Sequence, residues 1–126
     1  QPGQQAYRLR VVAERIPALI QISPANRAVA EVSVADRRLS DLRSCLEESG
    51  QANSTALNAL VAGDQAAADS AVTLPETERW EIATRVSEHA HTLTELAETA
   101  SNSEAAETLR AAANRALAIA EKLRAE

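Results

Sequence analysis

Between residues 28 and 46 the apolar side chains fall at Ala28, Val32, Ala35, Leu39, Leu42 and Leu46, in alternating steps of four and three. Such steps line one stripe of a helix, whereas a half-buried strand would alternate every second residue. The pattern returns at Ile82, Val86, His89, Leu93, Leu96 and Ala100. Two stripes of this length must be buried against other helices, so the spacing predicts an all-α fold, an antiparallel helical bundle. The core material agrees. Ala, Leu and Val dominate, with one Trp, one Tyr and no Phe, which suits close helix packing better than an aromatic-lined cofactor or base pocket. Three Gly and four Pro in 126 residues are too few turns for a sandwich or barrel.

Stop and start signals divide the chain into about four main helices and a kinked N-terminal helical segment. The segment runs from Gln5 to about Ile22 and carries Leu9, Val12, Ile16 and Leu19, with Pro17 inside the pattern; a proline there removes one backbone hydrogen bond and kinks or breaks the helix. Ser23 then offers a capping oxygen and Pro24 fills the first helical position. That helix should end near Ser49, at Gly50. A weaker helix begins near Asn53 or Ser54 and bears Leu57, Leu60, Val61, Ala67, Ala68, Ala71 and Val72, with Gly63-Asp64 as its candidate interruption. Thr73 with Glu76 reads as a capping box for the next, which extends to about Thr99, and Glu76 and Glu78 suit its positive end. Ser101 with Glu104 repeats the signal for a last helix carrying Leu109, Ala112, Ala116, Ile119 and Leu123. The chain is thus one domain over 1–126, with 1–22 set before a bundle over 23–126. A chain of this size buries roughly two-thirds of its unfolded surface.

The net charge is −5, and it is unevenly placed. Residues 1–50 hold seven Arg against six acids, and residues 51–126 hold six bases against twelve acids. Nucleic acid is excluded as an expected partner, because phosphate binding needs a basic patch and the more basic half is about neutral. No window is apolar enough to span a membrane. Without an initiator Met or a signal-peptide core, the chain reads as an excised fragment or a mature product. Cys45 has no second cysteine to pair with; three residues after Leu42, it reads as a small buried hydrophobe.

Few residues carry chemistry. Glu88 and His91 have the E-x-x-H spacing of di-iron bundles, but that architecture needs a second such pair on another helix, and both histidines, His89 and His91, lie on one. A mononuclear or dimer-shared metal site is the remaining functional alternative for them. His89 sits on the apolar seam and reads as a packing or hydrogen-bonding histidine, with pH sensing as its functional alternative; His91, two positions on, points elsewhere. No Ser or Cys is placed beside a histidine and an acid, and no glycine-rich loop cradles phosphate. Asn53-Ser54-Thr55 matches a glycosylation sequon but reads as a cap. Trp80 should cover a bundle end, with ligand stacking as the alternative. The sequence therefore predicts no catalytic, cofactor-binding or metal-binding residues, no cofactor and no enzyme.

One further pattern lies near the start of the chain. Pro2-Gly3, Tyr7, Arg10, Glu14, Ser23-Pro24, Arg27, Glu31 and Arg37-Arg38-Leu39 follow one another in an order that resembles a helical bacterial domain of unknown function. The resemblance covers residues 1–45. Its usual leucine and aspartate around Pro-Gly are glutamines here, and its usual lysine is Arg10. The resemblance implies a position outside the membrane, just after a single transmembrane helix, often in anti-sigma-factor-like regulators. The expected function is that of a non-enzymatic, extracytoplasmic regulatory or sensory domain of a membrane-anchored protein. Its partner would be another protein or its own transmembrane segment, with the ligand undefined. The alternatives are a small-molecule or metal-binding bundle, in which Glu88, His89, His91 and Trp80 are the first residues to test, and a spacer or oligomerisation module.

Overall fold

The computed structural model describes residues 23–126; the expected kinked segment with Pro17 lies outside the described residues. Helix α1 spans Pro24–Ser49. Ser23 Oγ accepts from the Asn26 N–H at 3.1 Å, Pro24 opens the first turn, and the helix stops where Gly50 takes φ 73°. That left-handed conformation is strained for any residue with a Cβ, and it lets the Gly50 N–H reach the Leu46 carbonyl at 2.7 Å. Helix α2 spans Ser54–Ala71, capped by Asn53 Oδ1 on the Ala56 N–H. Helix α3 spans Glu76–Thr99 and α4 spans Ser103–Ala125.

Several expectations are corrected at the helix ends. Gly63-Asp64 does not interrupt α2. Thr73 and Ser101 do not cap: Pro75 precedes α3 without a side-chain cap, and Asn102 Oδ1 accepts from the Ala105 N–H at 2.7 Å at the start of α4. Asn102 is favoured because its amide also donates to the Gly50 carbonyl at 3.3 Å, joining two loops at one end of the bundle. Cys45 is exposed, since the seam passes through Leu42 and Leu46 and leaves the residue before Leu46 turned outward.

Each connection is three or four residues long, so neighbouring helices run antiparallel and α1 and α3 run the same way. The pairs α1–α2 and α3–α4 pack most extensively, α2–α4 and α1–α3 close the ring, and α2 also touches α3 across it. Among the described residues, the Cα atoms of α1 and α4 do not come within 8 Å of one another. The cross-section is a flattened square with α2–α3 as its short diagonal. Small residues on α2, among them Ala67, Ala68 and Ala71, allow that approach.

The core is divided along the bundle axis. One cluster is built of leucines, including Leu42, Leu57, Leu60, Leu93 and Leu109. The other is mostly small, with Ala28, Val32, Ala71, Val86 and Ala116. On α2 the division falls between Val61 and Ala67, and on α3 between Ala90 and Leu93. Asp64 occupies the gap on α2 and His89 lies beside the one on α3, and they are the buried polar residues of the described chain.

Candidate functional site

Three helices meet at His89, which is 3% exposed. Its Nδ1 lies 2.8 Å from Oδ1 of Asp64 on α2, a residue with no exposed surface. Its Nε2 meets Oδ1 of Asp36 on α1. Arg85, one turn earlier on α3, pairs with Oδ2 of that same carboxylate and lies 3.4 Å from Ser33 Oγ. The cluster therefore runs from a dry interior at Asp64, through the imidazole, to a water-accessible surface at Asp36 and Arg85, whose side chains are 45% and 33% exposed.

The local sequence explains this placement. Asp64 follows Val61 by three and precedes Ala67 by three, so it stands on the apolar stripe of α2. His89 stands on the stripe of α3 between Val86 and Leu93. Asp36 adjoins the buried Ala35 at the edge of α1, and Arg85, four before His89, lies one turn below it on the same side of α3. A buried polar group with no partner costs about 1–3 kcal/mol, more if charged, which is why the two seam residues face each other.

The electrostatics follow from the surroundings. Burial pushes the Asp64 carboxyl above its ordinary value; the hydrogen bond with His89 opposes that without cancelling it, and the negative charge of Asp36 adds to it. For His89, burial disfavours the imidazolium, but the hydrogen bonds and charges of Asp64 and Asp36 prevail and raise its pKa. Asp36 is pulled down: desolvation is the largest single influence and raises it, but the hydrogen bonds and charges of His89 and Arg85 together outweigh it. Asp64 and His89 thus both hold a proton more tightly than in the unfolded chain.

The geometry limits what this site can do. The two carboxylates face opposite nitrogens of one ring, so they cannot share a metal ion with it. Among the described residues no three His, Cys, Asp or Glu side chains converge as a metal site. Glu88 and His91 lie exposed on the outer face of α3, where His91 is 3.5 Å from Glu95 in an i,i+4 pair, a contact worth a few tenths of a kcal/mol. Trp80 does not close a bundle end. It is 46% exposed, in an open depression with Glu76, Glu81, Thr84 and Glu88. Of the four residues marked first for testing, only His89 enters the buried cluster.

Sequence reasoning missed Asp64, reading Gly63-Asp64 as a helix breaker, and missed Asp36 and Arg85. A signal for Asp64 was present: a carboxylate on one seam and a histidine on another are the two polar interruptions of the apolar stripes. No described helix is long and apolar enough to cross a membrane. No family model, no curated protein and no solved structure matches the chain.

Proposed function

We propose that this chain is a non-enzymatic regulatory or sensory domain that works outside the membrane in a membrane-anchored bacterial protein, of the kind attached to anti-sigma-type regulators. The observation that carries the reading is the role of its buried polar residues. They join helices instead of lining a cavity, and both nitrogens of His89 are engaged by carboxylates on other helices, leaving neither free for acid–base work on a substrate. A bundle tied at one buried polar cluster has two natural arrangements there, joined and parted, and a regulator needs such a two-state element.

The resemblance in residues 1–45 supports the proposed location. Several of its residues have structural tasks in α1: Ser23 caps the helix, and Arg38 donates to the Ala59 carbonyl of α2 at 3.0 Å. The conformational change would pass through residues 1–22 towards a preceding membrane helix.

The test is made on the native full-length protein. Protease added to intact spheroplasts should cleave the domain, as an outer-face position requires, and deletion of 23–126 from the gene should change transcription of the genes the protein controls. Cleavage only after lysis, or unchanged transcription, would overturn this reading.

A further inference from the structure

We propose that Asp64 and His89 form a binding site for a single proton that holds α1, α2 and α3 together, so that the cluster parts when the proton is lost in alkali and stays joined on mild acidification. An imidazole nitrogen donates only if it carries hydrogen, and an ionised carboxylate only accepts. With oxygens of two carboxylates against its two nitrogens, and with Asp36 kept ionised by Arg85, the ring has two consistent states. Either His89 is an imidazolium donating to both carboxylates, or it is neutral, donating from Nε2 to Asp36 and accepting at Nδ1 from a protonated Asp64. Both states contain one proton beyond those of a neutral ring and two carboxylates. In both, with Arg85 and Asp36 ionised, the cluster is electrically neutral.

Loss of that proton leaves one nitrogen lone pair facing a carboxylate and a net negative charge in the interior. Asp64 is fully buried and its Oδ2 has no protein hydrogen-bond partner. Asp36 is half-exposed and keeps Arg85. The ring hydrogen therefore stays on Nδ1 for Asp64, and the α1–α3 contact at Nε2 gives way. A second proton is tolerated, because protonated Asp64 still accepts from Nδ1–H through its carbonyl oxygen.

The remaining charges do not upset this balance. From α1, the Arg38 guanidinium and the Glu31 backbone carbonyl lie beside Gly63, the neighbour of Asp64; Arg38 is at the surface on the Ala59 carbonyl, and the Glu31 carboxylate has one buried oxygen, Oε2, without a protein partner. From α3, Arg85 serves Asp36. From α4, Arg124 binds Thr84 and Ser87 and Arg115 binds Asn58, while the buried surface of that helix at this level is Ala112, Ala113 and Ala116.

The inference stands on side-chain geometry and goes beyond the regulatory reading, to which it would give a signal. It is tested in solution, apart from any question of location. Denaturant unfolding of the full chain should show the folding equilibrium constant falling about tenfold per pH unit once the unfolded histidine has lost its proton, above the ordinary 6.5, as linkage to one proton requires. In Asp64→Asn a carboxamide N–H replaces the bound proton, so the fall should vanish. Equal slopes in both proteins would overturn the proposal. A second measurement uses nitrogen-15 spectra of a His91→Gln chain, in which His89 is the one remaining imidazole. Its ring should keep its low-pH signature well above pH 6.5 or show the neutral form with hydrogen on Nε2. A ring that becomes neutral at 6.5 with hydrogen on Nδ1 would overturn the proposal, even if Asp64→Asn fails to fold.

Discussion

His89 and Asp64 face each other across the short diagonal of the bundle, 2.8 Å apart, at the level where the leucine-rich cluster gives way to the alanine-rich one. The contact sets the register of α3 against α2, because a slide of either helix by one turn would put a carboxylate or an imidazole among leucines. Breaking it from one side leaves a buried group without its partner. His89→Ala is expected to cost about 3–5 kcal/mol, the loss found when one member of a buried charged pair is removed. Replacing both residues together by well-packed apolar side chains should recover much of that. Equilibrium denaturation of the single and double variants checks the non-additivity, and a double variant as unstable as the sum of the singles would contradict it.

Leu93 has no exposed surface, while Leu39 is 8% exposed at the margin of the same cluster. Leu→Ala at Leu93 should cost about 2–5 kcal/mol, with Leu39→Ala in the lower part of that range. Chemical unfolding that gave less than about 1 kcal/mol for both would contradict the seam.

Gly63 is helical and is not required by its conformation. A Cβ there would meet Arg38 Nη1 at 3.5 Å and the Ala35 Cβ at 3.6 Å, both ordinary contacts. Gly63→Ala should therefore stabilise the domain, by up to about 1 kcal/mol from helix propensity. Gly50→Ala should destabilise it, because φ 73° is costly for alanine. A thermal melt of each variant tests both signs.

Asp36 governs the acid side. Its folded pKa is depressed, so its contribution is present above the ordinary 3.8 and is lost as the pH falls through the lower folded value. Asp36→Asn should be less stable than the parent near neutrality and should lose less on going from pH 4 to pH 2. An unchanged acid limb in circular-dichroism melts would mean that the Arg85 and His89 contacts do not act on this carboxylate in solution.

Arg79 reaches from α3 to the Leu123 carbonyl at 3.2 Å and to the Leu74 carbonyl at 3.1 Å, holding the last turn of α4 against the loop before α3. Arg79→Ala should loosen that end first. Hydrogen exchange is expected to rise in the last turn of α4 while the amides around Leu109 stay protected, and uniform exchange along α4 would contradict this.

The seams of α1 and α3, the Ser23 and Asn53 caps and the Gly50 stop were legible in the chain because each depends on residues within a turn or two of itself: periodicity, a side-chain oxygen near free N–H groups, a glycine free to turn left-handed. Those local rules were enough to determine an all-α bundle with antiparallel neighbours. What they could not determine is which polar residues meet. Asn102 outcompetes Ser101 through a contact with Gly50, 52 positions away, and Asp64 reads as a helix breaker until α3 brings His89 to it from 25 positions away. Asp36 and Arg85 carry no local mark, for each is an ordinary charged residue at a helix edge until α1 and α3 lie side by side. Backbone hydrogen bonds in a helix are local and leave their pattern in the sequence. The energy of a buried charge depends on what surrounds it in three dimensions, and only the packing of the four helices decided that.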